Sequence, residues 1–523
     1  MEQLQRGHKK HCGKEPVMDD NKAVMDTVSD IPSVDETELI YILKLRKYFK
    51  DMIVMKNAVN TKLFSDLGLP SFIRDWLVMR FSDVNGQTDH GKALEFARRI
   101  IPDKEKWSLL LLEMLHNDKP VRILTKIRIE FDTKNKTALF SLPVYDVPKH
   151  KGEAVADWEV IEKNKEHLFS CNEVWGIVDI RCVPDETQKN NILKLVDFKP
   201  FCPYRVQTDY YKMARKHFTT DEWIDVIISA IDYDPQGYTD RSEKLAMLKR
   251  LLPFVEKRLN MVELAPKETG KSYVFSHISK HGWLVSGGSV TRAKMFYDIS
   301  KKAEGLVSEY DYVAIDEVKS IRFDNPPEMQ GILKSYMESG EYFVGTHRGT
   351  GDAGVILLGN IDAAYMNDEC DMFMTLPAVF HDSALIDRFH GFIKGWELPK
   401  MREELKANNW ALNTEYFSEI LSMLRGEPEY RAIVDSLLVL PKDAATRDTE
   451  AVKRLCTAYL KLLFPDVKST KDVDLNEFEE LCLRPALEMR GIIKNQLKQM
   501  DPGEFGSAVM PDIRVKEEKY ETK

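Results

Sequence analysis

The chain has 523 residues, enough for about two to four domains and at least one large buried core. It is 43% hydrophobic, 30% charged and 10% aromatic, the composition of a soluble globular protein. No apolar run reaches the roughly 18–20 residues of a membrane span, and the first twenty residues lack the apolar core of a secretory signal, which points to the cytoplasm. A net charge of −9 and a pI of about 5.9 exclude a generally basic nucleic-acid coat, though not a local basic channel. The seven cysteines are odd in number and form no C-x-x-C pair, which argues against a disulfide framework and a zinc ribbon.

In chain order, residues 1–35 are polar, without periodicity, and read as a disordered tail. The "HKKHC" tract from His8 to Cys12 is incidental to that tail rather than a metal site. Residues 36–117 read as helices: Leu39, Ile42, Leu43 and Leu45 recur at helical spacing, with Asp35 as an N-cap. From 118 to 203, apolar and polar residues alternate around the turn "DTKNKT", which predicts a small antiparallel sheet or barrel, an oligonucleotide-binding barrel among the options. From 221 the chain alternates amphipathic helices with short apolar runs, "NMVEL", "GWLVSG", "YDYVAID" and "GVILLGN", the pattern of a parallel sheet covered on both faces. Residues 400–500 read as helix throughout, and the end, "DIRVKEEKYETK", as a charged tail.

Three of the apolar runs end in polar residues suited to nucleotide chemistry. "NMVEL" leads into Ala265-Pro266-Lys267-Glu268-Thr269-Gly270-Lys271-Ser272, a loose phosphate-loop pattern followed by a helix. Backbone N–H groups and the helix N-terminus would cradle phosphates, Lys271 would reach the β- and γ-phosphates of ATP, and Ser272 would ligate Mg²⁺. "YDYVAIDEV" ends in Asp316-Glu317: Asp316 can hold Mg²⁺ through water and Glu317 can polarise the attacking water. "AGVILLGN" ends in Asn360, an amide able to orient that water or sense the γ-phosphate.

"RLLPFVEKRLNMVELAPKETGKSYVFS", "LVSGGSVTRAKMFYD", "GLVSEYDYVAIDEV" and "LIDRFHGFIKGWELPK" resemble the Lon-related BrxL proteins of BREX phage-defence systems, over roughly residues 60–500. The resemblance implies an α/β AAA+ P-loop ATPase core with a helical lid, similar to the MCM replicative helicases and preceded by a mixed helical and β N-terminal domain. The implied layout is a tail at 1–35, an N-terminal domain at 36–205, the core at 206–400, the lid at 401–470 and a terminal helix and tail at 471–523. It further implies a homo-oligomeric ring, hexameric and able to pair with a second ring, that binds double-stranded DNA alongside other defence proteins. In such rings "MESGEYFVGTHRGTGDAGVILLGN" resembles a pore hairpin, with His347, Arg348 and Gly349 at its tip touching DNA. "SALIDRFHGF" resembles the segment carrying an arginine finger, Arg388, and "TRDTEAVKRLCTAYLKLLFP" the lid segment with a second sensor arginine, Arg447. Longer members carry a Lon-like domain with a Ser-Lys dyad. Residues 471–523 are too few to hold it, and Ser507 has no domain around it, so a short form without protease activity is expected. Those longer members tend to have glycine where Glu268 stands. Glu268 must adopt whatever backbone angles that glycine uses, and it weakens nucleotide affinity by about 1 kcal/mol if those angles are left-handed.

The leading expectation is a DNA-translocating or remodelling ATPase. An ATP-locked DNA-binding or assembly module with little turnover is the first alternative, motivated by Ala265 and Glu268. A protein unfoldase is the second, for which "IRFDNPP" at 321–327 is the nearest aromatic pore-loop candidate.

Overall fold

A computed structural model describes residues 36–516 apart from 58–63, 65–68, 84, 118, 133, 151, 170–172, 186–189 and 204–205. The expectations for residues 1–35, including the Asp35 cap, lie outside the described residues. Helix α1 spans Glu36–Phe49, α2 Ser71–Phe81 and α3 His90–Ile100. Five strands follow: β1 Val121–Asp132, β2 Thr137–Ser141, β3 Ala154–Ala156, β4 Val174–Asp185 and β5 Asn190–Pro200. They close into a barrel in the order β1-β2-β3-β5-β4. All its pairs are antiparallel except β3 with β5. Alternating residues such as Ile123, Ile127, Phe140, Val178 and Leu195 fill its interior.

The larger unit begins with α4, Thr220–Ala230, whose capping box pairs Thr219 with Glu222. Its elements are then β6 Met261–Ala265, α5 Lys271–His277, β7 Gly282–Ser286, β8 Tyr312–Asp316, α6 Pro326–Ser339, the hairpin strands β9 Glu341–Val344 and β10 His347–Thr350, β11 Gly354–Asn360, and β12 Gly391–Lys394. Strands β12-β6-β11-β8-β7 form one sheet in that order, and every pair in it is parallel.

Side chains along each strand alternate between two apolar layers, because successive residues of a strand face opposite sides. Met261, Tyr312, Ala314, Ile356 and Leu358 pack with Trp223, Phe254 and Phe275 on one face. Val262, Leu264, Val313, Ile315, Val355 and Leu357 pack with Met329, Leu333 and Tyr336 of α6 on the other. Burial on both faces explains why these runs are continuously apolar.

Helices α7 Thr414–Arg425, α8 Thr446–Leu463 and α9 Arg484–Met500 complete the unit. The all-helical expectation for 400–500 needs one correction. Trp410–Leu412 is a strand paired with Ile53–Met55, and Leu438–Val439 pairs with Arg514–Val515. The expected charged tail is therefore tied down in part, with Ile513 buried. Two- and three-residue strands carry no periodicity of their own, since a distant partner alone sets their register.

Candidate nucleotide site

In a parallel sheet every strand ends at the same edge. Register places Asn360 of β11 beside Ala265 of β6, and Asp316 of β8 beside Ser286 of β7. The phosphate-loop residues, the Asp316-Glu317 pair and Asn360 are thereby brought to one rim. The contact is direct: Lys271 Nζ donates to Asn360 Oδ1 at 2.7 Å. Burial lowers the Lys271 pKa, an effect opposed by the nearby carboxylates of Glu263 and Asp316. The Glu317 amide donates to Asp316 Oδ1 at 2.8 Å, and Glu317 itself sits at φ 48°, exposed. This left-handed turn carries its carboxylate out of the buried strand to the rim.

The loop between β6 and α5 is held from beneath by an ion pair that sequence reading missed. Glu263, mid-strand in β6, and Arg250 are both fully buried, their charges 2.5 Å apart. Arg250 Nη1 also donates to the Thr269 carbonyl at 2.8 Å. Burial alone would lower the Arg250 pKa; Glu263 outweighs it, so the guanidinium lies above its ordinary value. A charged residue inside a five-residue buried strand demands a partner, and Glu263 was the signal that could have disclosed one.

A second buried cluster holds the loop from the side of α2. Tyr273, the residue after Ser272, donates to Asp232 Oδ2 at 2.7 Å. Asp232 Oδ1 takes Arg74 at 2.6 Å and Lys56 at 2.8 Å. Burial opposes ionisation of Asp232, but the two cations hold its pKa well below the usual carboxylate range. The first turn of α5 is thus tied to the α1–α3 region through charged side chains.

Glu268 is exposed at φ 69° and Gly270 lies at φ 74°. The Glu268 carbonyl accepts from the Met401 amide at 2.7 Å, which fixes this strained backbone. A Cβ on Gly270 would come within 2.3 Å of the Tyr233 hydroxyl. That hydroxyl is buried without a protein hydrogen-bond partner among the described residues, and burial pushes its pKa up to about 12. An orphaned donor beside a left-handed loop, a buried lysine and a helix start fit a phosphate ligand. Ser272 in the first turn of α5 and Asp316 at the end of β8 are the residues that could hold its Mg²⁺, and Ala265, Pro266, Lys267 and Thr269 complete the loop.

Arg388 and Arg447 are not at this rim. Arg388 precedes β12, and its carbonyl is 3.5 Å from Asn260 Nδ2 at the start of β6. That is the opposite edge of the sheet, about 15 Å from the loop by strand length. Arg447 accompanies it there, through Asp387 at 2.8 Å and Glu338 at 3.3 Å.

The hairpin tip requires a correction. Val344 pairs with His347 and Phe343 with Arg348, so the turn is Gly345-Thr346, with Gly345 at φ 61°. Glycine at the first central position suits the mirror-image turn that matches strand twist. His347 is engaged, stacked on Tyr297 at 3.6 Å, with its Nε2 3.0 Å from Glu304. Arg348 is 63% exposed and pairs with Glu341 at 2.7 Å. Exposed Phe343 beneath it was missed in the sequence. The aromatic of "IRFDNPP", Phe323, packs edge-on against Phe380 at 5.5 Å.

Residues 193–510 match the family described as Lon-like protease BrxL-like, ATPase domain, and residues 47–182 match BREX system Lon protease-like protein BrxL N-terminal. The chain is 30% identical over 475 residues to the Lon-like protease BrxL of Escherichia coli O9:H4 (strain HS), an alignment covering 88% of this chain and 65% of the relative. With the Lon-like protease BrxL of Bacillus cereus (strain H3081.97) it shares 28% over 477 residues, covering 88% and 67%. The chain thus spans about two thirds of the length of the curated relatives it matches. No helix among the described residues is long and apolar enough to cross a membrane. With an AAA+-like ATPase core and the BrxL N-terminal region in one chain, this protein belongs to the BrxL family.

Proposed function

We propose that the chain is a ring-forming, Mg²⁺-dependent AAA+ ATPase of the cytoplasm that encircles double-stranded DNA and couples ATP hydrolysis to its translocation or remodelling in BREX-type phage defence. The observation that carries this reading is the division of parts between the two edges of the sheet. Lys271, Asp316, Glu317 and Asn360 share one edge, while Arg388 and Arg447 stand together on the other, beyond reach of the same nucleotide. A head-to-tail neighbour would present those arginines to the γ-phosphate, and repeated contacts of that kind close into rings such as hexamers.

Bound ATP and Mg²⁺ supply the phosphoryl group and its charge neutralisation. The residues of this chain do the rest. Lys271 and the loop amides hold the phosphates, Glu317 orients and deprotonates water, and Asn360 fixes Lys271 and the water's position. Arg388 and Arg447 act on the neighbour's nucleotide. Residues 401–470 serve as the lid, 36–205 as the N-terminal domain, and other BREX proteins as partners. At the hairpin, Arg348 is the DNA contact, with His347 as a support stacked behind it.

The experiment is ATP turnover with and without duplex DNA for wild type and Glu317→Gln. Wild-type turnover no faster than the variant's under either condition refutes the enzyme reading. Arg348→Ala is expected to lower DNA affinity and to flatten its salt dependence by about one unit of slope. The left-handed Glu268 favours a second reading, an ATP-locked assembly with little turnover. A stable ATP- and DNA-dependent ring seen by electron microscopy with no measurable hydrolysis would decide for it.

A further inference from the structure

Of the two arginines at the far edge of the sheet, Arg388 is largely buried and Arg447 is exposed. Both converge on one oxygen of Glu338: Arg388 Nε lies 3.0 Å and Arg447 Nη2 3.3 Å from Glu338 Oε2. Arg447 is braced on its other side by Asp387, whose second oxygen takes the buried Arg490 at 2.6 Å. Burial lowers the Arg388 pKa, and the adjacent Arg447 cation lowers it further. Two guanidinium groups bracketing a single anionic oxygen form a receptor for a phosphoryl oxygen. Here a carboxylate of the same chain occupies it, hydrogen-bonded to Arg447 and paired by charge alone with Arg388, whose Nε has no hydrogen-bond partner among the described residues.

The position of that carboxylate matters. Glu338 lies in the last turn of α6, and its side chain is 49% exposed, so water can solvate it once released. The helix ends at Gly340, φ 80°, and the hairpin begins at Glu341. This joint is tight. Arg258 Nη1 donates to the Ser339 carbonyl at 2.5 Å, and a Cβ on Gly340 would meet the same nitrogen at 2.7 Å. Tyr342 of β9 hydrogen-bonds Ser308 at 2.7 Å and Glu304 as well. Only two residues, Ser339 and Gly340, separate Glu338 from the first residue of β9.

We propose that Glu338 is a positioning residue that stands in for the neighbour's γ-phosphate. It holds the arginine pair when no nucleotide is presented. It yields the pair when one is, releasing the end of α6 and with it the hairpin that carries Arg348. The inference rests on the reading of Arg388 and Arg447 as residues acting on a neighbour's nucleotide.

The test is steady-state ATP hydrolysis by the full chain with and without duplex DNA, for wild type, Glu338→Gln, Glu338→Asp and Arg388→Ala. Glu338→Gln removes the competing charge but not the shape. Its DNA-free turnover rises about two- to fivefold at an ATP KM within about twofold of wild type, and further stimulation by DNA is largely lost. Glu338→Asp keeps the charge and retains part of the stimulation. An unchanged or lower DNA-free rate in Glu338→Gln, with stimulation intact, overturns the proposal. Wild-type turnover in Arg388→Ala overturns instead the reading beneath it, whatever Glu338→Gln does.

Discussion

The two edges of the parallel sheet differ in how they are built. At the C-terminal edge, chemistry sits on strand ends or on the residues just after them, so the hydrogen-bonded ladder itself sets their spacing. Lys271 meets Asn360 because β6 and β11 are neighbours in register. At the N-terminal edge, Arg388 and Arg447 belong to segments outside the sheet, and ion pairs with Glu338 and Asp387 place them. The first edge is pre-organised by backbone. The second is held by exchangeable side-chain contacts, the kind of arrangement that a ligand from outside can rewrite.

Separating the two edges between chains tests their division of labour most directly. Arg388→Ala is expected to lower turnover on the order of 10³-fold, the scale of an arginine finger. Glu317→Gln should be as inactive. Mixed in equal amounts, the two should regain about a quarter of wild-type turnover, because a head-to-tail interface can combine an intact edge from each. A mixture as silent as its components shows that the edges do not act on one nucleotide.

Glu263→Leu tests the support under the C-terminal edge. It leaves Arg250 buried and unpaired, at a cost of about 3–5 kcal/mol in denaturant unfolding, and the double change Arg250→Met/Glu263→Leu should recover most of it. A single variant as stable as wild type would mean the pair does not hold the loop.

Glu268→Gly relieves the positive φ of the loop and should tighten ATP binding by about 1 kcal/mol, or about fivefold. Equal dissociation constants in calorimetry reject this. The smallest effect concerns His390, which joins the Arg388 segment to β12. Its Nδ1 accepts from the Asn260 amide at 3.0 Å. Burial, with Arg454 and Arg490 nearby, holds its pKa well below the ordinary value. The unfolded chain takes up this proton near pH 6.5 and the folded chain does not, so stability is full above about 6.5 and falls as pH drops below it. His390→Gln should show a smaller loss of melting temperature between about pH 7.5 and 5.5 than wild type. An identical loss assigns the acid sensitivity elsewhere.

The runs of β6, β8 and β11 were legible because burial on both faces leaves no alternation to misread, and each ended visibly in a polar residue or a loop of polar ones. The trace of the supports was fainter. Glu263 was visible as a misfit within "NMVELA", but Arg250, Lys56 and Arg74, and the side chain of Asp232, look like ordinary surface charges until the fold removes most of their water. The hairpin tip was displaced by two residues, since Gly345-Thr346 makes the turn and a register is decided across strands rather than along one.

By itself the amino-acid order determined the strand–loop–helix around Lys271 and the strands that end at Asp316-Glu317 and Asn360, because those features are contiguous and follow local rules of strand, turn and helix start. Only the tertiary structure decided that Lys271 touches Asn360, that a buried Arg250–Glu263 pair carries the loop, and that Arg388 and Arg447 share Glu338 on the opposite edge. The physical reason is that charge pairing in a protein interior depends on distances between segments far apart in sequence and on the loss of water around them, and neither is written in local order.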